Sequence, residues 1–192
     1  MNILREHIRS LFKLNEEEAS VFLAEFIRKD LQKDDVFIAE GEICKKVGLI
    51  EKGLMVCTYH KNGNEIIDEF AFENGFVTNY YSFLTGTPSE KTIRCIEDTT
   101  VYVISRQSLE KVSRHYAFIE RMAGMMNERL FLRTHDRVKS MLLDTATERY
   151  QKLVAQRKDM VQRIPQYMLA SYLHVKPETL SRIRKKLAKK IN

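Results

Sequence analysis

Cysteine is scarce in this 192-residue chain, and the three present, Cys44, Cys57 and Cys95, form no CxxC pair. That spacing excludes a disulfide framework and a zinc knuckle, and it fits a reducing compartment. The five histidines, His7, His60, His115, His135 and His174, are scattered without ligand spacing, so no metal site is expected. No run approaches the ~18 apolar residues that a membrane helix requires. The first residues, MNILREHIRSLFKLNEEE, are broken by charge where a signal peptide would be continuously apolar. A cytoplasmic protein without a membrane partner is therefore expected. GxGxxG, GxxxxGK[ST], HExxH and GxSxG are all missing, so the chain is read as a non-enzyme with no catalytic residue and no cofactor.

Glycine and proline are also few, seven and three, and their placement divides the chain. Six glycines fall from Gly41 to Gly86, whereas no proline occurs between Pro88 and Pro165. From about Val36 to Ser105 the sequence reads as short strands. MVCTY and EIIDEF flank KNGN, and Asn62-Gly63 is a strong hairpin signal because both central residues of such a turn need positive φ. TVYVIS over residues 100–105 is a further β-branched run, and the spacing favours an antiparallel barrel or jelly roll. Before this region, residues from about 3 to 28 read as helical. Asn15 followed by Glu16, Glu17 and Glu18 marks a helix start, and Val21, Phe22, Phe26 and Ile27 supply an apolar face. After it, residues from about 117 to 160 read as long helices. Phe118, Ile119, Met122, Met126 and Leu130 form a stripe at helical spacing, which serves either as core or as a pairing face for a second copy.

Charge is present in ordinary amount but is unevenly placed. The chain carries 32 basic and 26 acidic side chains, and residues 176–192, KPETLSRIRKKLAKKIN, hold the whole excess of +6. A local cationic segment points to a polyanionic partner, the plain alternative being a solvated tail. Just upstream, Pro165 suits the first turn of a helix in which Leu169, Ala170 and Leu173 face inward. The turn LHVK follows, and Pro177 opens a second helix, giving a helix-turn-helix pattern. On that second helix Leu180, Ile183 and Leu187 share one face, and Glu178, Ser181, Arg182 and Lys185 share the opposite one. Arginine can bond guanine bidentately and glutamate can accept from cytosine, while Lys185 and Lys186 suit phosphates.

IPQYMLASYLHVKPETLSRIRKKL resembles the helix-turn-helix of the Crp–Fnr family of bacterial transcription regulators. GLIEKGLMVCTYHKNGNEIIDEF and IRCIEDTTVYVISRQSLEKV resemble the strands of that family's cyclic-nucleotide-binding β-roll. The resemblance spans nearly the whole chain. It implies an α+β fold, with a sensor domain over residues 1–117 built on an antiparallel β-roll with flanking helices. A long dimerisation helix over 118–137 and a DNA-binding domain over 138–192 follow. It implies a homodimer that binds double-stranded DNA, with RNA polymerase as a further partner and an unknown small-molecule effector, or none. By position, Glu178 and Arg182 match the family's base-reading residues, and Gln166, Lys176 and Thr179 match positions that touch phosphates.

The chain departs from the family in three respects. Thr78-Asn79 and Ser89-Glu90 stand where the family's cassette has Gly-Glu and Arg-Ser, so cyclic AMP is not the expected effector. Asn79, Tyr80, Tyr81, Ser89 and Glu90 are the pocket candidates: either Tyr80 and Tyr81 fill the pocket, or it accepts a different and less anionic effector. Lys91 and Arg94 are the cations available as replacements. His174 stands where the inter-helix turn usually has glycine, which implies a left-handed non-glycine residue. No β-hairpin wing follows the second helix, and KKIN is a candidate substitute for its phosphate contacts. Three cysteines are too few for the family's iron–sulfur branch. A different class of function, a small-molecule sensor whose basic C-terminus binds RNA or an acidic protein, remains the alternative.

Overall fold

The computed structural model describes residues 2–188. The opening segment is two helices, not one. α1 (Asn2–Phe12) ends before Lys13, whose φ is 54°, and α2 (Glu16–Ala24) starts afresh. A capping box begins α2: Asn15 Oδ1 accepts the Glu18 N–H at 2.8 Å, and Glu18 accepts the Asn15 N–H at 3.0 Å. The helix ends at Ala24, short of both Phe26 and Ile27 that were expected on its face, although Phe26 is still buried against the helical core. Ile27 opens strand β1 (Ile27–Leu31) and is 69% exposed, because β1 pairs with a distant strand and turns Ile27 away from the helical core.

Two four-stranded antiparallel sheets form the body. β1, β8 (Thr99–Ser105), β3 (Lys46–Lys52) and β6 (Phe76–Val77) lie side by side in one. β2 (Val36–Ile38), β7 (Thr92–Cys95), β4 (Met55–Lys61) and β5 (Asn64–Ala71) form the other. The β4–β5 hairpin turns at Asn62 and Gly63, with φ of 52° and 75°, the two left-handed residues that a two-residue turn of this hand requires. Alternation along the strands builds separate apolar layers. Ile50, Met55, Ile93, Cys95 and Val101 fill the space between the sheets. Leu49 and Ile104, on the outer face of the first sheet, pack under α1, α2 and the segment from α4 (Arg106–Ser113) into α5 (Phe118–Leu143). A short helix, α3 (Tyr80–Thr85), interrupts the path from β6 to β7.

Val56, Ile67 and Phe70, on the outer face of the second sheet, pack under the C-terminal helices. α5 runs to Leu143, past residue 137, and Asp144 leaves the helix in an extended conformation. Thr145 and Glu148 then form a capping box that starts α6 (Ala146–Gln156). α7 (Lys158–Arg163), α8 (Gln166–Tyr172) and α9 (Pro177–Ala188) complete the described chain. Among the described residues no helix is long and apolar enough to cross a membrane. This is the α+β architecture expected from the sequence.

Candidate nucleic-acid interface and effector pocket

α8 begins at Pro165 and buries Met168, Leu169 and Ala170, so its inner face is fixed by packing. The chain reverses at His174, with φ of 54°, the left-handed position anticipated from the sequence. There the His174 N–H reaches the Ser171 carbonyl at 2.9 Å and the Val175 N–H reaches the Ala170 carbonyl at 3.0 Å. Arg149 on α6 pins the turn, donating to the Leu173 carbonyl at 3.0 Å and to the Asp144 carbonyl at 2.7 Å. Burial, reinforced by Arg137 and Arg149, holds the His174 pKa below its ordinary 6.5, which favours the neutral ring.

α9 is oriented by Leu180 and Ile183, both buried, with Leu187 packed beside them. Glu178, Arg182, Lys185 and Lys186 are exposed, and Ser181 is half-buried at the edge of the same outer surface. Arg182 donates to the Thr179 hydroxyl at 3.2 Å, and Gln166 Nε2 reaches the Pro177 carbonyl at 3.5 Å. Gln166, Lys176 and Thr179 therefore gather at the start of α9, while Glu178, Arg182 and Lys185 project farther along it. None of these charges has an ion-pair partner among the described residues, so the surface retains its capacity for hydrogen bonds and phosphates. The KKIN tail lies outside the described residues.

The altered cassette is wired to itself. Asn79 is buried and caps α3, its Oδ1 accepting the Ser82 N–H at 3.3 Å while its Nδ2 donates to Ser89 Oγ at 2.6 Å. Ser89 Oγ in turn donates to the Lys91 carbonyl at 2.6 Å. Lys91 Nζ sits 2.5 Å from the Asp68 carboxylate and 4.9 Å from the Tyr59 ring centre. Burial opposes the Lys91 charge, but Asp68 outweighs it and raises the pKa. Arg94 bonds Glu65 at 3.0 and 3.2 Å. Both candidate replacement cations are thus matched by the chain's own acids. Tyr80 is half-buried and donates to Asn127 Oδ1 on α5 at 2.5 Å. Tyr81 is corrected: at 68% exposure it fills no pocket, because the short α3 turns it to solvent. Glu90 is exposed beside Ser89.

The stripe on α5 also needs correction. Phe118, Ile119 and Met122 are buried against α1 and α2, with Met126 half-buried beside them, so they are spent on the chain's own core. Leu130 is half-buried. The free apolar surface of α5 lies elsewhere, at Phe131, Val138 and Leu142, which are 69%, 51% and 77% exposed. Gly124, Phe131 and Val138 recur at heptad steps, with Asn127 alongside. A Cβ on Gly124 would meet nothing within 4 Å, so nothing inside the chain demands a glycine there. The heptad was visible in the sequence but is masked by the stronger stripe. Two other residues that the sequence reading passed over, Arg149 and Arg163, act across elements and left no local signal.

Residues 28–116 match the family model described as cyclic nucleotide-binding domain. A search of curated proteins returned no match. Among solved structures, FixK2 from Bradyrhizobium japonicum is 20% identical with a TM-score of 0.73, over 86% of this chain and 85% of that one. The c-di-GMP responsive global regulator CLP of Xanthomonas campestris is 15% identical with a TM-score of 0.72, over 92% and 93% of the two chains. The Thermus thermophilus catabolite activator protein is 21% identical with a TM-score of 0.58, over 94% and 87%. Residues 28–116 thus match the cyclic nucleotide-binding domain model, and the chain as a whole is similar in fold to these solved regulators.

Proposed function

We propose that this protein is a sequence-specific, DNA-binding transcription regulator that acts as a homodimer in the cytoplasm and does not answer to cyclic AMP or cyclic GMP. The observation that carries the reading is α9: a helix fixed by Leu180 and Ile183, preceded by a pinned turn, with Glu178, Arg182 and Lys185 on its outer side and without an ion-pair partner among the described residues. Arg182 and Glu178 read base edges, and Gln166, Lys176, Thr179, Lys185 and Lys186 hold phosphates, with Ser181 at the edge of the reading surface. The second copy pairs through Gly124, Asn127, Phe131, Val138 and Leu142, where glycine permits close helix approach. RNA polymerase is the expected downstream partner. Asn79 and Ser89 are bonded to each other, and Lys91 and Arg94 to carboxylates, so among the described residues the two cations of the cassette are already matched and not free for a cyclic phosphate.

The test is selection of duplex DNA by the purified protein, followed by anisotropy titration of the selected site. Arg182→Ala should cost about 1–3 kcal/mol per half-site and relax sequence preference. Lys186→Ala should weaken all sequences alike and reduce the salt slope by about one unit. Preferential selection of single-stranded RNA, with no duplex site recovered, would favour the alternative partner.

A further inference from the structure

A groove between β1 and the loop leading into β3 carries chemistry that DNA binding does not use. β1 is the outermost strand of its sheet and pairs with β8 alone. Between it, the end of β8 and residues 42–46 lies a groove of about 580 Å³, within the range of small-molecule sites. Its floor is apolar, formed by Ile27, Ile43 and Val103, and Ile27 and Ile43 are 69% and 39% exposed. Its rim is cationic, formed by Lys29, Lys45 and Lys46. Lys46 is partly neutralised by Glu42 at 3.8 Å. Lys29 and Lys45 meet no carboxylate among the described residues, so the groove keeps a net positive potential above exposed apolar surface.

We propose that this groove binds a small amphipathic monoanion, with an apolar body against Ile27, Ile43 and Val103 and a carboxylate or phosphate head between the lysines. Apolar contact supplies the burial, and the unpaired cations select the sign of the head group. A peptide strand added to β1 is the less suited occupant. Arg28 and Asp30 pair with each other at 2.7 Å, and charge along an edge strand discourages strand addition. Occupancy would be felt at the cassette, because the same loop is tied to it. The Glu42 carbonyl accepts the Ser89 N–H at 2.9 Å, and the Cys44 N–H bonds Ser82 Oγ at 2.9 Å. The proposal is independent of DNA binding, and its failure would leave that reading intact.

Methyl NMR of the full chain, labelled at Ile, Leu and Val, tests it by titration with octanoate, octyl phosphate and 1-octanol. Ile27, Ile43 and Val103 methyls should shift saturably with at least one anion, the tighter of the two naming the head group. Octanol should bind at least about tenfold more weakly, and Lys29→Glu with Lys45→Glu should weaken the anion about tenfold or more. These lysines are surface groups, and an unchanged methyl spectrum of the free variant verifies its fold. The proposal is overturned if neither anion shifts these methyls saturably, if octanol binds as well as the tighter anion, or if the double variant binds unchanged. Shifts confined to Val138 and Leu142 on α5 would overturn it too.

Discussion

Replacing Arg163 with glutamine cuts a polar tie between the C-terminal helices and the β-sandwich. Arg163, at the end of α7, donates to both oxygens of Glu73 at 2.9 and 2.8 Å and also bonds Glu97. Glu73 additionally accepts the Gly53 N–H at 2.9 Å, so the guanidinium ties α7 to the segments of Glu73 and Glu97 and, through Glu73, to Gly53. Charge-assisted bonds of this kind are worth about 1.5–3 kcal/mol each when well shielded. The three side chains are 30%, 31% and 36% exposed, so solvent screening trims the pair of contacts to about 1–3 kcal/mol together. For a chain of this size that is a fall in Tm of roughly 2–12 °C, read by scanning calorimetry at pH 7. Partial burial works against the Glu73 charge, but the Arg163 bonds overcome it and hold the pKa below the ordinary 4.5. A depressed carboxylate contributes stability above its unfolded pKa and loses it as pH falls through the folded value. The deficit of Arg163→Gln should therefore be full at neutral pH and shrink below about 4.5. Adding Glu73→Gln should recover part of the loss, since one of the two carboxylates left without the guanidinium is then removed. A variant that melts like wild type at pH 7, or a deficit that does not narrow in acid, would refute this account.

Phe131→Glu, on the free face of α5, should shift the sedimentation of the protein from dimer to monomer, whereas Met126→Glu should chiefly lower its Tm. Calorimetric titration with cyclic AMP and cyclic GMP should show no saturable binding in the micromolar range. His174→Gly should leave stability unchanged or raise it by up to about 1 kcal/mol, and His174→Val should lower it by more than about 1 kcal/mol in denaturant unfolding, because a β-branched residue resists a φ of 54°.

The features that the sequence determined by itself are those whose causes are local in the chain. Asn62-Gly63 needs only its own backbone to turn. Asn15 and Glu18 need only each other to cap α2. Leu180, Ile183 and Leu187 define the inner side of α9 by helical period, and that orients Arg182 and Glu178 outward without reference to any other element. The tertiary structure decided what depended on which neighbour arrived. Periodicity made Phe118, Ile119 and Met122 one apolar face, but only packing showed that α1 and α2 cover it and leave Phe131, Val138 and Leu142 free. The cassette sequence displayed a missing arginine. It could not show that Asn79 turns to Ser89, or that Lys91 and Arg94 are matched by Asp68 and Glu65 from a strand more than twenty residues away. Ile27 continued a helical pattern until strand pairing with Val103, a contact between distant segments, claimed it for the sheet. Local propensity acts over a few residues and is written in order along the chain. Burial and charge pairing depend on which segments meet in space, and that is set only when the whole chain has folded.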